Sequence, residues 1–277
     1  MKTWMITGTS SGFGKALATR LALQNDVKVI ATARKEKDLA YLDEYDHGQI
    51  KKIIVDIADP KAIREAANQA LSFSEKIDVL VNNAGLGYFS TIEESDMQAV
   101  RYMFEVDFFG LAEMTNALLP QFRANQDGVI VNISSALGLT TLPTMGFYSA
   151  AKFAVEGYSD ALRQEISSMG IKVLTVEPSG ARTNWAGSSS EKKIPTIAAY
   201  ERFKDMIATT DQAVDNAPGD PMLIAQAIID AVDSGDEMPN HLPLGKFAYQ
   251  ASLDKLRSLM NEIESHRELS LSTDDSN

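Results

Sequence analysis

The 277-residue chain has no cysteine and only three histidines, and these shortages exclude several kinds of chemistry. Without cysteine there can be no disulfide framework, no thiolate nucleophile and no cysteine-ligated zinc or iron–sulfur site. The histidines, His47, His241 and His266, lie among polar residues and lack the spacing of metal ligands. We therefore predict no metal site and interpret the three histidines as solvated surface residues.

Long apolar runs and an excess of positive charge are also missing. No segment approaches the about 20 apolar residues of a membrane-spanning helix, and the first residues contain no signal-peptide core. The 26 Lys and Arg against 38 Asp and Glu give a net charge of −12, which disfavours nucleic acid and anionic membranes as partners. We expect a cytoplasmic protein whose main partner is a small-molecule substrate.

The chain does contain a regular alternation of short β-branched runs and longer helical stretches. The predicted buried strands are Lys2–Thr7, Val27–Ala33, Ile50–Ile57, Ile77–Asn82, Gly128–Ser134 and Ile171–Glu177. The predicted helices are Gly12–Asn25, Pro60–Phe73, Asp96–Phe122, Tyr148–Met169 and Pro221–Ser234. This alternation predicts a single-domain α/β fold of the Rossmann type, with a doubly wound parallel sheet and helices on both faces. Such folds bind ligands outside the carboxyl ends of their strands.

Two segments interrupt the alternation. Residues 183–220 contain a serine-rich stretch, a charged patch and a weak helix around Ala198–Ala208, and we expect a small helical lobe that covers the substrate. Residues 264–277 are polar and lack periodicity, which predicts a flexible C-terminal tail. The predicted organisation is therefore one domain over residues 1–263 followed by that tail.

A glycine-rich turn follows the first predicted strand and leads into a helix. It reads Thr7-Gly8-Thr9-Ser10-Ser11-Gly12-Phe13-Gly14. Glycine allows the main chain to turn sharply and approach a pyrophosphate, whose charge is stabilised by the free N–H groups of a helix N-terminus. The turn favours a dinucleotide site, although a loop that only requires positive φ would have a similar sequence.

A tyrosine and a lysine, Tyr148 and Lys152, stand four residues apart on one face of a predicted helix. The ammonium is expected to lower the pKa of the phenol, so that Tyr148 can exchange a proton with a substrate. The same spacing recurs at Tyr200 and Lys204. Only Tyr148 has a strand-end serine, Ser135, 13 residues before it, and this serine distinguishes the two pairs.

These features together resemble the short-chain dehydrogenase/reductase family. The turn matches the TGxxxGxG pattern of that family, Asn82-Asn83-Ala84-Gly85 matches its NNAG segment, and the spacing of the serine, tyrosine and lysine also agrees. The resemblance implies hydride transfer between a nicotinamide cofactor and a carbonyl or alcohol. It assigns catalysis to Tyr148 and Lys152 rather than to Tyr200 and Lys204. It also implies that Ser135 stabilises the substrate oxygen, while Lys152 also holds the nicotinamide ribose.

The resemblance also assigns the cofactor contacts. Arg34 ends the second predicted strand where an NAD-preferring member carries an acid, so NADP(H) is preferred and NAD(H) is possible; a solvated arginine is the alternative. Asp56 corresponds to the residue that binds the adenine amino group. The complete predicted set is Thr7, Gly8, Ser10, Ser11, Gly12, Phe13, Gly14, Arg34, Asp56, Ile57, Asn83, Ala84, Gly85, Tyr148, Lys152, Pro178, Gly180 and Thr183.

Two residues depart from the family pattern. Ser179 follows Pro178 where many members have glycine, and Asp107 stands where the fourth catalytic residue is an asparagine. Asp107 could preserve the proton relay, or its carboxylate could pair with Lys152 and weaken the effect of that lysine on Tyr148. We include Asp107 among the catalytic residues. Two alternatives remain open, namely a catalytically weak NADP(H)-binding regulator and an isomerase or dehydratase that uses a transient oxidation.

Apolar and aromatic residues follow the strand ends that carry these motifs. They are Leu86, Tyr88, Phe89, Leu137, Leu142, Met145, Trp185 and residues 194–200. If they line a pocket rather than pack in the core, the substrate is a hydrophobic or aromatic ketone, aldehyde or secondary alcohol. The resemblance further implies a homodimer or homotetramer that packs through the helices at 96–122 and 148–169.

Overall fold

A seven-stranded parallel sheet forms the centre of the protein in the computed structural model, which describes residues 1–274. The strands are β1 (Lys2–Ile6), β2 (Val27–Ala33), β3 (Ile50–Ile54), β4 (Val79–Asn82), β5 (Gly87–Phe89), β6 (Gly128–Ile133), β7 (Ile171–Pro178), β8 (Ser190–Lys192) and β9 (His241–Leu244). The sheet has the order β3-β2-β1-β4-β6-β7-β9, and β5 and β8 form a separate parallel pair.

Helices cover both faces of this sheet. They are α1 (Gly12–Ala22), α2 (Pro60–Phe73), α3 (Met97–Phe104), α4 (Gly110–Asn125), α5 (Gly146–Ile166), α6 (Lys204–Ala208), α7 (Ala213–Asn216), α8 (Pro221–Asp233), α9 (Lys246–Ser265) and α10 (Arg267–Leu271). A π-helical turn over Glu105–Phe109 joins α3 to α4. Among the described residues, no helix combines the length and the apolar character that crossing a membrane would require.

The side chains of the sheet alternate between two hydrophobic cores. Trp4 and Ile6 of β1 face the core that α1 and α8 cover, whereas Met5 faces the core that α2, α4 and α5 cover. Because both faces of a parallel sheet are buried, its strands contain nearly continuous apolar residues, which is the pattern that the sequence has. The predicted Rossmann-type fold with helices on both faces is confirmed.

Polar side chains in the middle of the sheet are paired with each other. Asn82 Nδ2 donates to Asn132 Oδ1 at 2.9 Å and to Thr115 Oγ1 at 3.0 Å, and Asn132 Nδ2 donates to Ser159 Oγ at 2.9 Å. Buried amides need such partners because an unpaired one costs about 1–3 kcal/mol. The network fixes α4 and α5 against the strands β4 and β6, whose ends carry the predicted site residues.

The C-terminal segment differs from the sequence prediction. The chain is helical in α9 to Ser265 and again in α10, so the first part of the predicted tail has regular structure. The boundary at residue 264 was placed where the apolar periodicity ends, but residues with high helix propensity, such as Arg267, Glu268 and Leu269, can remain helical without that periodicity. Residues 275–277 of that predicted tail lie outside the described residues.

Candidate active site

A cavity of about 460 Å³ opens at the carboxyl ends of the central strands. The chain order in the sheet reverses between β1 and β4, and the loops after these strands diverge there and leave a crevice. The predicted site residues that line the cavity are Gly8, Ser10, Ser11, Gly12, Phe13, Arg34, Asp56, Ile57, Asn83, Ala84, Gly85, Ser135, Tyr148, Lys152, Pro178, Gly180 and Thr183. The fold therefore brings most of the predicted residues together.

The glycine turn lies against the NNAG segment. Gly8 has a φ of +70°, and a Cβ there would lie 2.7 Å from the Ala84 Cα, so only glycine permits this approach. At Gly14 a Cβ would lie 2.4 Å from Asn83 Nδ2. That amide donates at 2.9 Å to the carbonyls of Thr7 and Gly8. These contacts hold the two predicted cofactor-binding segments together.

Two of the predicted cofactor residues support the cavity from behind rather than line it. The Thr7 hydroxyl accepts hydrogen bonds from the N–H groups of Asn83 at 2.9 Å and Ala84 at 3.1 Å. Gly14 lies in the first turn of α1 and provides the space for Asn83. Both residues shape the wall without lining the space where a ligand would lie.

The N-terminus of α1 lies at the cavity, where Ser11, Gly12 and Phe13 form part of the wall. Ser11 is the residue before the helix, its side chain makes no capping hydrogen bond, and the first turn contains no acidic residue. Unpaired N–H groups at a helix start attract negative charge. Together with the narrow glycine contacts, this end of the cavity fits a dinucleotide pyrophosphate.

Arg34 lies at the end of β2, where it is exposed and lines the cavity. It makes no ion pair with any residue in 1–274. Asp56 and Ile57 line the cavity after β3. A guanidinium without a carboxylate partner is available to bind a phosphate group.

The three predicted catalytic side chains face the cavity from two elements. Tyr148 and Lys152 are buried on α5, with Lys152 Nζ 5.7 Å from the centre of the tyrosine ring. Ser135 follows β6, and its hydroxyl accepts a hydrogen bond from the Leu137 N–H at 3.1 Å. The Trp185 ring packs on Tyr148 with 4.8 Å between ring centres. A substrate oxygen between Ser135 and Tyr148 would be shielded from water on the side of Trp185.

Asp107 lies behind the catalytic groups and does not line the cavity. The π-helical turn buries its side chain completely, and Oδ2 lies 3.1 Å from Lys152 Nζ. The second oxygen, Oδ1, accepts a hydrogen bond from the Leu86 N–H at 2.7 Å. Lys152 Nζ also donates to the Ile133 carbonyl at 3.2 Å. The pairing of Asp107 with Lys152, one of the two predicted possibilities, is present.

This ion pair changes the electrostatics of the phenol. Burial lowers the pKa of Lys152, but Asp107, Tyr148 and Glu156 together outweigh burial, and the pKa is raised. Burial raises the pKa of Tyr148, Lys152 lowers it, Asp107 raises it further, and the Ser135 hydroxyl lowers it; the net direction is upward. Lys152 lowers the pKa of Tyr148 as predicted, but in the chain alone burial and Asp107 together outweigh this effect.

The predicted substrate residues separate into two groups. Those that line the cavity are Leu86, Phe89, Leu137, Leu142, Met145 and Trp185. Tyr88 is buried in the core, where its hydroxyl accepts a hydrogen bond from the Asp96 N–H at 2.7 Å. Residues 194–200 do not line the cavity, and Tyr200 donates from its hydroxyl to Glu93 Oε2 at 2.7 Å. The second tyrosine–lysine pair, Tyr200 and Lys204, therefore does not line the cavity.

Two aromatic residues of the cavity wall were not predicted. Tyr102 reaches it from α3 and Phe247 from the first turn of α9. Tyr102 lies four residues before Val106, which also lines the cavity, so a shared helix face was the available signal. Phe247 follows β9, and recognising that strand would have placed Phe247 at a carboxyl end. The unusual Ser179 anchors this helix, because its hydroxyl accepts a hydrogen bond from the Ala248 N–H at 2.8 Å.

His241 is not the solvated surface residue that the sequence predicted. Its Nδ1 lies 3.0 Å from Glu177 Oε1 and 3.5 Å from Glu156 Oε2, and its Nε2 lies 3.3 Å from Asp160 Oδ1. Glu156, Glu177 and His241 offer possible metal-ligand atoms within 4.8 Å of one another. They come from α5, β7 and β9, so no local spacing in the sequence reveals the cluster.

The comparisons with known proteins agree with this geometry. The family model described as short chain dehydrogenase matches residues 2–194. The oxidoreductase BOA17 of Botryotinia fuckeliana is 32% identical over 277 residues, which cover 98% of this chain and 99% of the relative. The 3-ketodihydrosphingosine reductase of Bacteroides thetaiotaomicron is 39% identical over 181 residues, which cover 65% of this chain and 64% of the relative.

Solved structures give the same result. The crystal structure of a short-chain dehydrogenase from Streptomyces avermitilis is 36% identical and has a TM-score of 0.91, with 99% of this chain and 98% of that chain covered. Other solved structures with this fold contain NAD or NADP. The family match, the curated relatives and the shared fold lead to one conclusion: the chain belongs to the short-chain dehydrogenase family of oxidoreductase enzymes.

Proposed function

We propose that the chain is an NADP(H)-dependent oxidoreductase that interconverts a carbonyl and an alcohol on a hydrophobic or aromatic small molecule. One observation carries the proposal. Tyr148, Lys152 and Ser135 line the same cavity as the glycine turn and the start of α1, so a proton donor and a dinucleotide site share one space. The cytoplasm is the proposed location, which the absence of cysteine fits.

Each catalytic side chain has a role in this proposal. Tyr148 gives its proton to the substrate carbonyl during reduction and accepts it from the alcohol during oxidation. The Ser135 hydroxyl donates a hydrogen bond to the substrate oxygen and stabilises the charge that develops there. Lys152 holds the nicotinamide ribose and favours the phenolate form of Tyr148. The bound nicotinamide supplies or accepts the hydride.

The cofactor preference and the substrate class rest on separate residues. Arg34, unpaired among residues 1–274 and at the cavity edge, supports NADP(H) over NAD(H), although relatives with either dinucleotide are known. Leu137, Met145 and Trp185 support an apolar substrate because they give that part of the wall few polar groups. The reductase from Bacteroides thetaiotaomicron supports a ketone among the possible substrates.

The Tyr148→Phe variant tests the proposed reaction. We expect turnover to fall by about 10² to 10⁴-fold, the usual contribution of a positioned proton donor, while NADPH affinity changes little. Turnover is measured as the loss of NADPH absorbance with a panel of aromatic ketones and quinones, and affinity as NADPH fluorescence. Tyr200→Phe is the matched control, because Tyr200 has the same spacing to a lysine but lies outside the cavity.

Three outcomes would contradict the proposal. Substantial activity in Tyr148→Phe would show that Tyr148 does not transfer the proton. A wild-type protein that binds NADPH but consumes none with any compound in the panel would be a regulator. Conversion of a substrate while NADPH is regenerated, without net consumption, would identify an isomerase or dehydratase.

We also propose a homo-oligomer that packs through α4 and α5, as in the family that the sequence resembles. Phe109 and Phe153, at the start of α4 and on α5, are exposed in the single chain. Large exposed aromatic side chains on neighbouring elements are typical of surfaces that bind another subunit. Light scattering that returns 30.2 kDa, the mass of one chain, would reject the oligomer.

A further inference from the structure

The hydroxyl of Ser179 caps the helix α9 from a different part of the chain. The residue before α9 is Gly245, which has no side chain that could cap the helix. The N–H of Ala248, in the first turn, instead donates to Ser179 Oγ at 2.8 Å. A serine at the start of a helix accepts the same kind of hydrogen bond from the second or third N–H. Ser179 therefore replaces the missing cap of α9.

The end of β7 and the start of α9 are in close contact at this point. The Ser179 N–H donates to the Leu244 carbonyl at 2.8 Å, next to the paired residues Pro178 and Leu244 of the sheet. Gly245 has a φ of +96°, and a Cβ there would lie 2.7 Å from Ser179 Oγ and 2.9 Å from Ser179 Cβ. Only glycine permits both this conformation and this approach. The first turn of α9 is therefore held closely against Ser179.

The first turn of α9 also forms part of the cavity wall, because Phe247 lines the cavity. Ala248 is fully buried, and the helix packs on β9 and on the turn Ala136–Gly138. Every residue from Asp254 to Ser265 is exposed. The placement of Phe247 therefore depends on contacts in the first half of the helix, among them the hydrogen bond between Ser179 and the adjacent Ala248.

Phe247 lies nearer to solvent than Tyr148 does. Its side chain is 43% exposed and that of Tyr148 is 5% exposed, although both line the cavity. The turn Ala136–Gly138, on which α9 packs, directly follows Ser135, so Phe247 belongs to the substrate end of the cavity rather than to the end where Arg34 lies. A long substrate whose oxygen reaches Tyr148 extends toward the solvent side of this end. An aromatic side chain there offers a large apolar surface to the far end of the substrate.

Direct contact with the cofactor is the alternative role of Ser179. Pro178 and Gly180, on either side of it, are predicted cofactor residues, and all three residues line the cavity. The hydroxyl, however, already accepts the Ala248 N–H, and this bond directs the side chain toward α9. A cofactor contact would affect NADPH affinity, whereas a role through α9 would affect the affinity for substrates.

We propose that Ser179 is a positioning residue for substrate selection, because it holds Phe247, through α9, against the apolar end of the substrate. The substrate class that fits this wall is an aryl ketone with an apolar extension, or the corresponding alcohol. Its oxygen lies between Ser135 and Tyr148, and its extension lies along Phe247. This selection rests on the carbonyl–alcohol reaction proposed above.

The Ser179→Ala variant tests the positioning role with two ketones, para-methylacetophenone and para-butylacetophenone. We expect the KM for the butyl compound to rise about fivefold, the equivalent of one helix cap, while kcat and the KM for the methyl compound change little. Ser252→Ala is the matched control, because the Ser252 hydroxyl, on the same helix, is buried without a hydrogen bond to any residue in 1–274.

Two outcomes of this experiment would overturn the proposal. An equal loss of activity with both ketones would show that Ser179 only stabilises the fold. A weaker NADPH affinity with an unchanged ratio of the two KM values would assign Ser179 to the cofactor.

Phe247→Ala tests the path of the effect. This variant should lose the preference for the butyl ketone, and Ser179→Ala should add nothing to that loss, because the side chain through which Ser179 acts is gone. Additive effects of the two substitutions on the ratio of KM values would show that Ser179 does not act through Phe247.

Calorimetry of ketone binding separates this proposal from the proposed reaction. Both ketones are titrated into each protein saturated with NADP⁺, so that dissociation constants are obtained without turnover. A wild type that consumes no NADPH would refute the reaction, yet the ratio of the two dissociation constants would still test Ser179. A ratio that Ser179→Ala leaves unchanged would overturn the positioning role, as would a wild type that binds neither ketone.

Discussion

Asp107 affects the pKa of Tyr148, the proposed catalytic tyrosine, without lining the cavity. Its carboxylate lies 3.1 Å from Lys152 Nζ. The negative charge of this carboxylate therefore offsets part of the positive charge of Lys152, which favours the phenolate form of Tyr148. The pKa of Tyr148 is raised by burial, with a contribution from Asp107. A tyrosine that stays protonated can donate its proton to a carbonyl, which is the proton transfer that reduction requires.

The Asp107→Asn variant tests this effect. Removal of the anion is expected to lower the pKa of Tyr148, because Asp107 raises it, and to move the pH profile of alcohol oxidation toward lower pH. The tyrosinate absorbance of Tyr148 is obtained as the difference between each protein and its Tyr148→Phe partner. The asparagine side-chain oxygen can still accept the Leu86 N–H, which limits structural damage. An unchanged Tyr148 titration would show that the ion pair has no electrostatic effect on the phenol.

Arg34 determines the cofactor preference in our proposal. Loss of a charged hydrogen bond to the 2′-phosphate costs about 1.5–3 kcal/mol, so Arg34→Ala should weaken NADPH binding about tenfold or more and leave NADH binding nearly unchanged. Titration of cofactor fluorescence measures both constants. Lys35→Ala is the control, because Lys35 is also exposed but does not line the cavity. An equal loss for both cofactors would show that Arg34 does not recognise the 2′-phosphate.

The sequence predicted which residues line the candidate site, but not the direction in which the pKa of Tyr148 is shifted. The glycine turn and the Ser135, Tyr148 and Lys152 side chains meet because each motif follows the carboxyl end of a strand. The direction of the Tyr148 pKa was not predictable, since it depends on desolvation by groups that are distant along the chain. The contribution of Phe247 to the cavity was not predicted for a related reason, because Phe247 is distant along the chain from the other residues of the wall.

At the scale of elements, β9 is attached to the rest of the sheet by an unusual set of charges. Its first residue, His241, contacts Glu177 on β7 and Glu156 and Asp160 on α5. Hydrogen bonding to Glu156 and Glu177 raises the pKa of His241 to about 10, and burial raises the pKa of Glu177 to about 7. A protonated His241 thus balances two buried carboxylates and connects three elements.

This contact predicts a pH dependence of stability. The folded pKa of His241 lies above its ordinary value of 6.5, so its contribution is complete below about pH 6.5 and is lost as the pH rises toward about 10. Solvent screening of this partly exposed side chain reduces the effect to about 1 kcal/mol, or about 2–4 °C in melting temperature. We expect His241→Asn to melt below the wild type at pH 7 and to lose that difference toward pH 10.

Thermal melts at several pH values provide the measurement. His266→Asn is the control, because His266 is exposed at the end of α9 and its ring contacts the Ser265 hydroxyl and the Glu262 carbonyl rather than a charged group. Parallel pH profiles for the wild type and His241→Asn would show that the charge on His241 does not stabilise the fold.

The sequence predicted the long strands of the fold but not the short ones. The six predicted strands are present because fully buried parallel strands have long β-branched runs. The strand β9 has only four residues, one of them Pro243, and the paired strands β5 and β8 have three residues each. Such short strands are set by contacts with distant segments, and their composition does not separate them from loops.

At the scale of the whole molecule, the predicted fold class followed from alternation alone. Right-handed crossovers and short connections leave few ways to arrange alternating strands and helices, and the observed sheet order is one of them. The cluster of Glu156, Glu177 and His241 could not be predicted in this way. It joins His241 to two glutamates that are each more than 60 positions away in the sequence, and only the completed fold brings them into contact.

The packing of Trp185 against Tyr148 gives the protein an intrinsic fluorescent probe of the cavity. The chain has two tryptophans, and the other, Trp4, is 1% exposed in the core of the sheet. Trp185 lines the cavity beside the catalytic phenol, so its emission responds to whatever enters, while Trp4 provides a constant internal reference. Ligands that no absorbance assay can follow are therefore visible by intrinsic fluorescence, and Trp185→Phe identifies which part of the signal belongs to the site.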